Sequence, residues 1–190
     1  MLIIPGILAS QRIAAGNYES IATVTVGSGG SSSISFTSIP STYKHLQVRI
    51  LARSNRSAAT DPIKINFNND TTAGNYYRNH YLKGDGATAT ASVFSTNTYC
   101  SIEVMPAATA TANIFANAVL DILDYTSTNK NKTLKTLCGF DTNSTTGQIL
   151  FQSGLWYPST IAAINRIDFA PVAGTLFTEY SHFALYGVKG

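Results

Sequence analysis

Apolar and polar residues alternate with a period of two through most of this chain, and nothing else in it restricts the fold as much. In KHLQVRILAR, Leu46, Val48, Ile50 and Ala52 face one way while Gln47, Arg49 and Arg53 face the other. Successive side chains of an extended strand leave on opposite sides, so this pattern marks a half-buried strand. PIKINFN repeats it, with Ile63, Ile65 and Phe67 inward and Lys64 and Asn66 outward. NIFANAVLDILDY is long enough for a helix, yet Ile114, Ala116, Ala118, Leu120 and Ile122 keep the two-residue period. Further strands are predicted at SIATVTV, SISFTSI, NYYRNHYL, YCSIEVM, TLKTLCGF, QILFQSGLWY, AINRIDF and SHFALYGV. Between the strands, GSGGSS, NNDTTAG, KGDGATATA, PAATATA, TSTNKNK, DTNSTTG and PVAGT supply the residues that turns require.

About ten short strands at nearly regular spacing, with almost no helical pattern, predict an all-β fold: an antiparallel β-sandwich of the jelly-roll type. Composition agrees. Charged residues make up only 12%, about half the usual share, and Ser, Thr and Asn fill their place. Those side chains compete with a helix for its backbone hydrogen bonds and suit the solvated face of a sheet. At 190 residues the chain fits one domain, and its only boundary falls near Ser10 to Gly16. The expected organisation is an apolar arm over residues 1–16 and a sandwich over 17–190.

Chemistry is sparse. His45, His80 and His182 all fall in predicted strands without ligand spacing, so they read as strand histidines with local hydrogen bonds, and no metal or cofactor is expected. GSGG at 27–30 opens no helix that could cradle a phosphate and reads as a hairpin loop. FQSGLW lacks the glycine that a nucleophile elbow needs. Asp121 and Asp124 are predicted on opposite faces of one strand, a poor glycosidase pair. No catalytic residue is assigned, and His80, Asp70 and Asp85 would support an enzyme only if the fold gathered them in a cleft. The basic residues Arg49, Arg53 and Arg56, and Lys130, Lys132 and Lys135, make no contiguous stripe, so nucleic acid is not an expected partner. Cys100 and Cys138 sit in apolar runs and read as buried free thiols, with a single disulfide as the alternative. Tyr76, Tyr77, Tyr81 and Trp156 stand among Asn and Asp side chains, an arrangement suited to stacking a sugar ring or, equally, to cross-strand packing.

ISFTSIPSTYKHLQVRILAR, then INFNND followed by NYYRNHYLKGDG, and the closing FALYGVKG resemble small β-rich virion structural proteins of tailed bacteriophages. A Phe–Thr–x–Ile–Pro strand end, a Tyr-bearing turn, an Asn–Asp turn and an aromatic–Tyr–Gly final strand carry the likeness, discontinuously over residues 20–190. The resemblance implies a capsid-decorating, tail-fibre or tail-associated protein on the particle exterior, usually oligomeric, and carries over no catalytic residue.

Leu2, Ile3, Ile4, Ile7 and Leu8 precede the first charge, Arg12. The run lacks a basic n-region, and Pro5-Gly6 breaks it well short of a bilayer span, so neither a signal peptide nor membrane insertion is expected. Burying one such side chain contributes roughly 1.5–3 kcal/mol, so the five together supply on the order of 7–15 kcal/mol before ordering costs. These residues are expected to dock the protein onto another virion protein, such as the major capsid protein or a tail component, or onto sister subunits. The alternative is that the arm folds back on its own sandwich. A homotrimer is the expected assembly, and the alternative function is a module that recognises a host-surface glycan.

Overall fold

The computed structural model describes residues 16–94, 98–142 and 147–190. Leu2, Ile3, Ile4, Ile7 and Leu8, expected from the sequence to dock, lie outside the described residues. Twelve strands follow in order: β1 (Tyr18–Thr25), β2 (Ile34–Phe36), β3 (His45–Ala52), β4 (Thr60–Phe67), β5 (Tyr76–Gly84), β6 (Ala89–Phe94), β7 (Cys100–Pro106), β8 (Ala116–Ile122), β9 (Lys132–Asp141), β10 (Gly147–Trp156), β11 (Ile167–Pro171) and β12 (His182–Val188). The described residues contain no helix. The fold is all-β and sandwich-like.

Two antiparallel sheets form: eight strands ordered β1-β12-β3-β8-β9-β10-β5-β6, and four ordered β2-β11-β4-β7. The chain crosses between sheets after β1, β2, β3, β4, β6, β7, β10 and β11. Four pairings are nested in sequence, β4 with β7, β3 with β8, β2 with β11 and β1 with β12. The hairpins β5–β6 and β9–β10 lengthen the larger sheet beyond β8.

The predicted alternation sets the core. Leu46, Val48, Ile50 and Ala52 from β3, Ile63, Ile65 and Phe67 from β4, and Ala116, Ala118, Leu120 and Ile122 from β8 are all buried in one apolar cluster. Phe169 and Phe183 join it across the sheets, ring centres 5.3 Å apart. Cys100 and Cys138 are buried free thiols, and burial pushes each pKa up to about 12.

The structure departs from the sequence reading in particular places. β6 was expected to be turn, because KGDGATATA runs through it. GSGG is not a hairpin loop: it carries the chain from β1 in the larger sheet to β2 in the smaller, with Gly29 and Gly30 at φ 90° and 78°. Asp124 lies past the end of β8 with φ 47°, in the turn that Lys130 closes at 3.2 Å.

The motifs that carried the resemblance meet in space. The Tyr43 ring lies against Gly187 so closely that a Cβ there would come within 2.2 Å of it. Its hydroxyl donates to Glu19 at 3.0 Å, and Glu19 in turn pairs with Lys189. Tyr125, fully buried, donates its hydroxyl to the Pro40 carbonyl. The Tyr-bearing turn is thereby fastened to the final strand.

Candidate interaction surface

The aromatic residues proposed for a sugar platform divide. Tyr76 is 1% exposed and Trp156 2%, so neither presents a ring to solvent, and that part of the glycan assignment is corrected. Both belong to a core cluster around Phe67, whose ring lies 5.5 Å from Trp156 and 6.4 Å from Tyr76. The Tyr76 hydroxyl accepts from Phe67 N at 3.0 Å and donates to the Asp70 carbonyl at 2.9 Å. The Asp70 carboxylate accepts from Trp156 Nε1 at 2.7 Å, Asn75 Nδ2 at 2.9 Å and Thr72 N at 2.9 Å. Burial pushes that carboxyl up, and these bonds outweigh it, leaving the pKa below its ordinary value. Tyr77 pairs through its backbone with Leu155, and its side chain is outside what is described. Tyr81 is half-buried on the inner side of β5, opposite Gln152.

Most of the polar residues weighed for chemistry are occupied by structure, and His80 stands exposed beside the outer face of β6, away from the bonds that engage Asp70 and Asp85. Asp85 caps the β5–β6 turn, accepting from Thr88 N at 2.8 Å and Ala87 N at 3.2 Å, and those bonds hold its carboxyl below the usual range. His45 Nδ1 accepts from Asp124 N at 3.0 Å, and His182 Nδ1 is 2.9 Å from Thr25 Oγ1. Arg53 is buried and donates to the carbonyls of Thr111, Ala110 and Ile114 at 2.7, 3.0 and 3.0 Å. Arg49 stacks over Tyr18 and Tyr186. Lys132 is fully buried, and its ammonium donates to the Ser127 and Lys130 carbonyls at 2.6 Å each. Among the described residues no three His, Cys, Asp or Glu side chains group as metal ligands do.

A different feature stands out, and it follows from strand register. Residues directly opposite one another in an antiparallel sheet share a face. One outer-face row of the larger sheet runs Arg49, Val119, Leu137, Phe151, Leu82, Ala91, from β3 to β6. The next row runs Leu51, Asn117, Gly139, Ile149, Gly84, Ala89. The inner row behind the first is Val48, Leu120, Thr136, Gln152, Tyr81, Ser92. Over β3 and β8 the apolar side faces the core, as the alternation predicts. Over β10, β5 and β6 the outer face is apolar too: β10 keeps Leu150 and Trp156 in the core yet turns Ile149 and Phe151 outward, and β5 and β6 turn Leu82 and Val93 outward.

The result is an apolar patch of Ile149, Leu82, Leu137, Val93 and Phe151, exposed by 66, 60, 55, 51 and 49%. Its shallow depression, about 370 Å³, lies between Leu82, Val93 and Phe151. Isolated exposed apolar residues are ordinary, whereas a contiguous patch marks an interaction site. The sequence reading passed over these residues. The uninterrupted Ile149-Leu150-Phe151 in QILFQSGLW was the available signal, since a strand with one wet face has no use for three consecutive large apolar side chains. A second concavity, a groove of about 590 Å³, is lined by threonine hydroxyls, the Asp85 carboxylate, the Gln148 amide and several alanines, with the Phe140 ring among them.

No protein-family model, curated protein or solved structure matches the chain.

Proposed function

We propose that this is a non-enzymatic structural protein of a bacteriophage virion, a jelly-roll domain carried on the particle exterior as a decoration or tail-fibre-associated component. It attaches through the apolar N-terminal residues Leu2 to Leu8 and through oligomeric contacts, with the major capsid protein or a tail component as the receiving surface. The observation that carries the reading is the nested strand pairing. With the hairpins β5–β6 and β9–β10 set aside, the sheets are β1-β12-β3-β8 and β2-β11-β4-β7. Each strand of the first half pairs with its counterpart in the second, the order of a rolled double ribbon, an architecture used by capsid domains and by lectins. Such a fold does not by itself specify function. The outward apolar side chains of β10, β5 and β6 support attachment, because an apolar face turned away from the core gains by lying against another protein.

The test is co-sedimentation with particles. The full chain is expected to be found in purified virions and to rebind particles prepared without it. Deleting residues 1–12 should abolish rebinding while leaving the β-sheet circular dichroism and thermal midpoint in place. Absence from virions, or equal rebinding without the arm, would refute the reading.

Glycan recognition stands as the second reading, moved from Tyr76 and Trp156 to the hydroxyl-lined groove beside Phe140. A glycan-array signal lost on Phe140→Ala would favour it. A signal unaffected by that change would remove it.

A further inference from the structure

A sheet edge presents unpaired backbone N–H and C=O groups, and proteins protect such edges by shortening them, bulging them or charging them. Three of the four edges here are protected. β2 is three residues long. β1 carries Glu19 and a bulge between Ser20 and Ala22. β7 carries Glu103, ends on Pro106, and is irregular opposite Asp61 and Ile63. β6 has none of these devices. Ala89-Thr90-Ala91-Ser92-Val93 contains no charge, no proline and no glycine, and its register with β5 is unbroken from Asn79↔Phe94 to Gly84↔Ala89. All five residues are exposed, and among the described residues no strand pairs with the far side of β6. This six-residue edge strand is exposed on both of its faces from Ala89 to Val93, and among the described residues only its pairing with β5 holds it.

We propose that β6 pairs antiparallel with β6 of a second copy of this chain, about a two-fold axis at Ala91, joining the two eight-stranded sheets into one. The sequence of the strand is the argument for that occupant. With Ala91 on the axis, residues whose numbers sum to the same value lie opposite one another. Ala89 then meets Val93 of the second copy, and Ala91 meets Ala91, all on the outer face. Thr90 meets Ser92 on the inner face, where opposed hydroxyls can hydrogen-bond. No like charges oppose, apolar meets apolar on the outer face and hydroxyl meets hydroxyl on the inner one. The pairing is isologous and closes on itself, so it does not propagate into fibres. It also runs the outer row of Leu137, Phe151, Leu82 and Ala91 without interruption into its own copy, doubling the apolar stripe. The N-terminal residues are a poorer occupant, because Pro5 lacks the N–H that a ladder needs. This inference holds whether or not the protein is part of a virion, and it replaces the expected three-fold assembly with a two-fold one.

The experiment is sedimentation equilibrium of the full chain across a micromolar dilution series, together with two variants. The unaltered chain should be a reversible dimer. Ala91→Lys sets two ammonium groups opposite each other on the axis, and it should raise the dimer dissociation constant by more than about tenfold with unchanged circular dichroism, and with an unfolding midpoint equal to that of the unaltered chain diluted to monomer. Ala91→Cys places two thiols at a cross-strand distance suited to a disulfide, so mild oxidation should give a covalent dimer. The same change at Thr23, on the protected edge, should not. A monomer at every concentration, a trimer mass, a dimer indifferent to Ala91→Lys, or one dissolved by removing residues 1–15 would each overturn the proposal.

Discussion

Arg53 follows directly after β3, and its guanidinium clamps the segment that carries the chain from β7 in the smaller sheet to β8 in the larger. Replacing it with Met keeps the unbranched stem and its packing but removes three hydrogen bonds, to Thr111, Ala110 and Ile114. A hydrogen bond to a charged group contributes roughly 1.5–3 kcal/mol. Thr111 is exposed, so its carbonyl recovers water, whereas the carbonyls of the half-buried Ala110 and Ile114 recover less. A net destabilisation of about 3 kcal/mol follows, which for a chain of this size lowers the thermal midpoint by about 10 °C. Urea unfolding should show a lower midpoint at unchanged slope, and hydrogen exchange should quicken over residues 107–115 before it does elsewhere. Arg53→Lys, which keeps the charge but loses the fork of donors, should recover about half of the loss. A change below about 1 kcal/mol for Arg53→Met would refute the claim that this side chain holds the crossover.

Gly187→Ala drives a methyl group into the Tyr43 ring and should cost about 2–3 kcal/mol, read by thermal melting. In a Tyr43→Ala background the same change should cost much less, because the clash has gone. The Asp70 carboxyl has a lowered pKa, so its stabilisation is complete above the unfolded value near 3.8 and is lost as pH falls through the folded value. Asp70→Asn should therefore flatten the acid limb of the stability curve, followed through the fluorescence of Trp156, the only tryptophan. Cys100 and Cys138, with pKa values near 12, should both resist a thiol-reactive dye at pH ~8 in the native protein and react once urea exposes them.

What the sequence discloses and what it hides divide along physical lines. β3, β4 and β8 are legible because each has one wet face and one dry one, which forces alternation. β6 is not, since Ala, Thr and Ser carry too little hydrophobic contrast to mark a face, and Gly84-Asp85-Gly86 draws the eye to the turn. Burial of Tyr76 and Trp156 is equally silent in sequence. An aromatic side chain with a polar tip suits a surface or a core, and only the spatial arrival of Asp70 and the Phe67 backbone decides between them. The outer patch was half visible. QILFQSGLW shows that β10 is apolar on both faces, but that Leu137 and Leu82 stand beside Phe151 depends on pairings among strands far apart in the chain.

Nested pairing also orders events in time. Joining β4 to β7 closes the shortest of the four long loops and draws the ends of β3 and β8 together, and each later pair inherits a shorter effective loop than its sequence separation implies. The clasp of Tyr18 to Val188 comes at the end of that progression. Folding is therefore expected to run from the middle of the chain outward, and unravelling to begin at β1, the first strand of the chain.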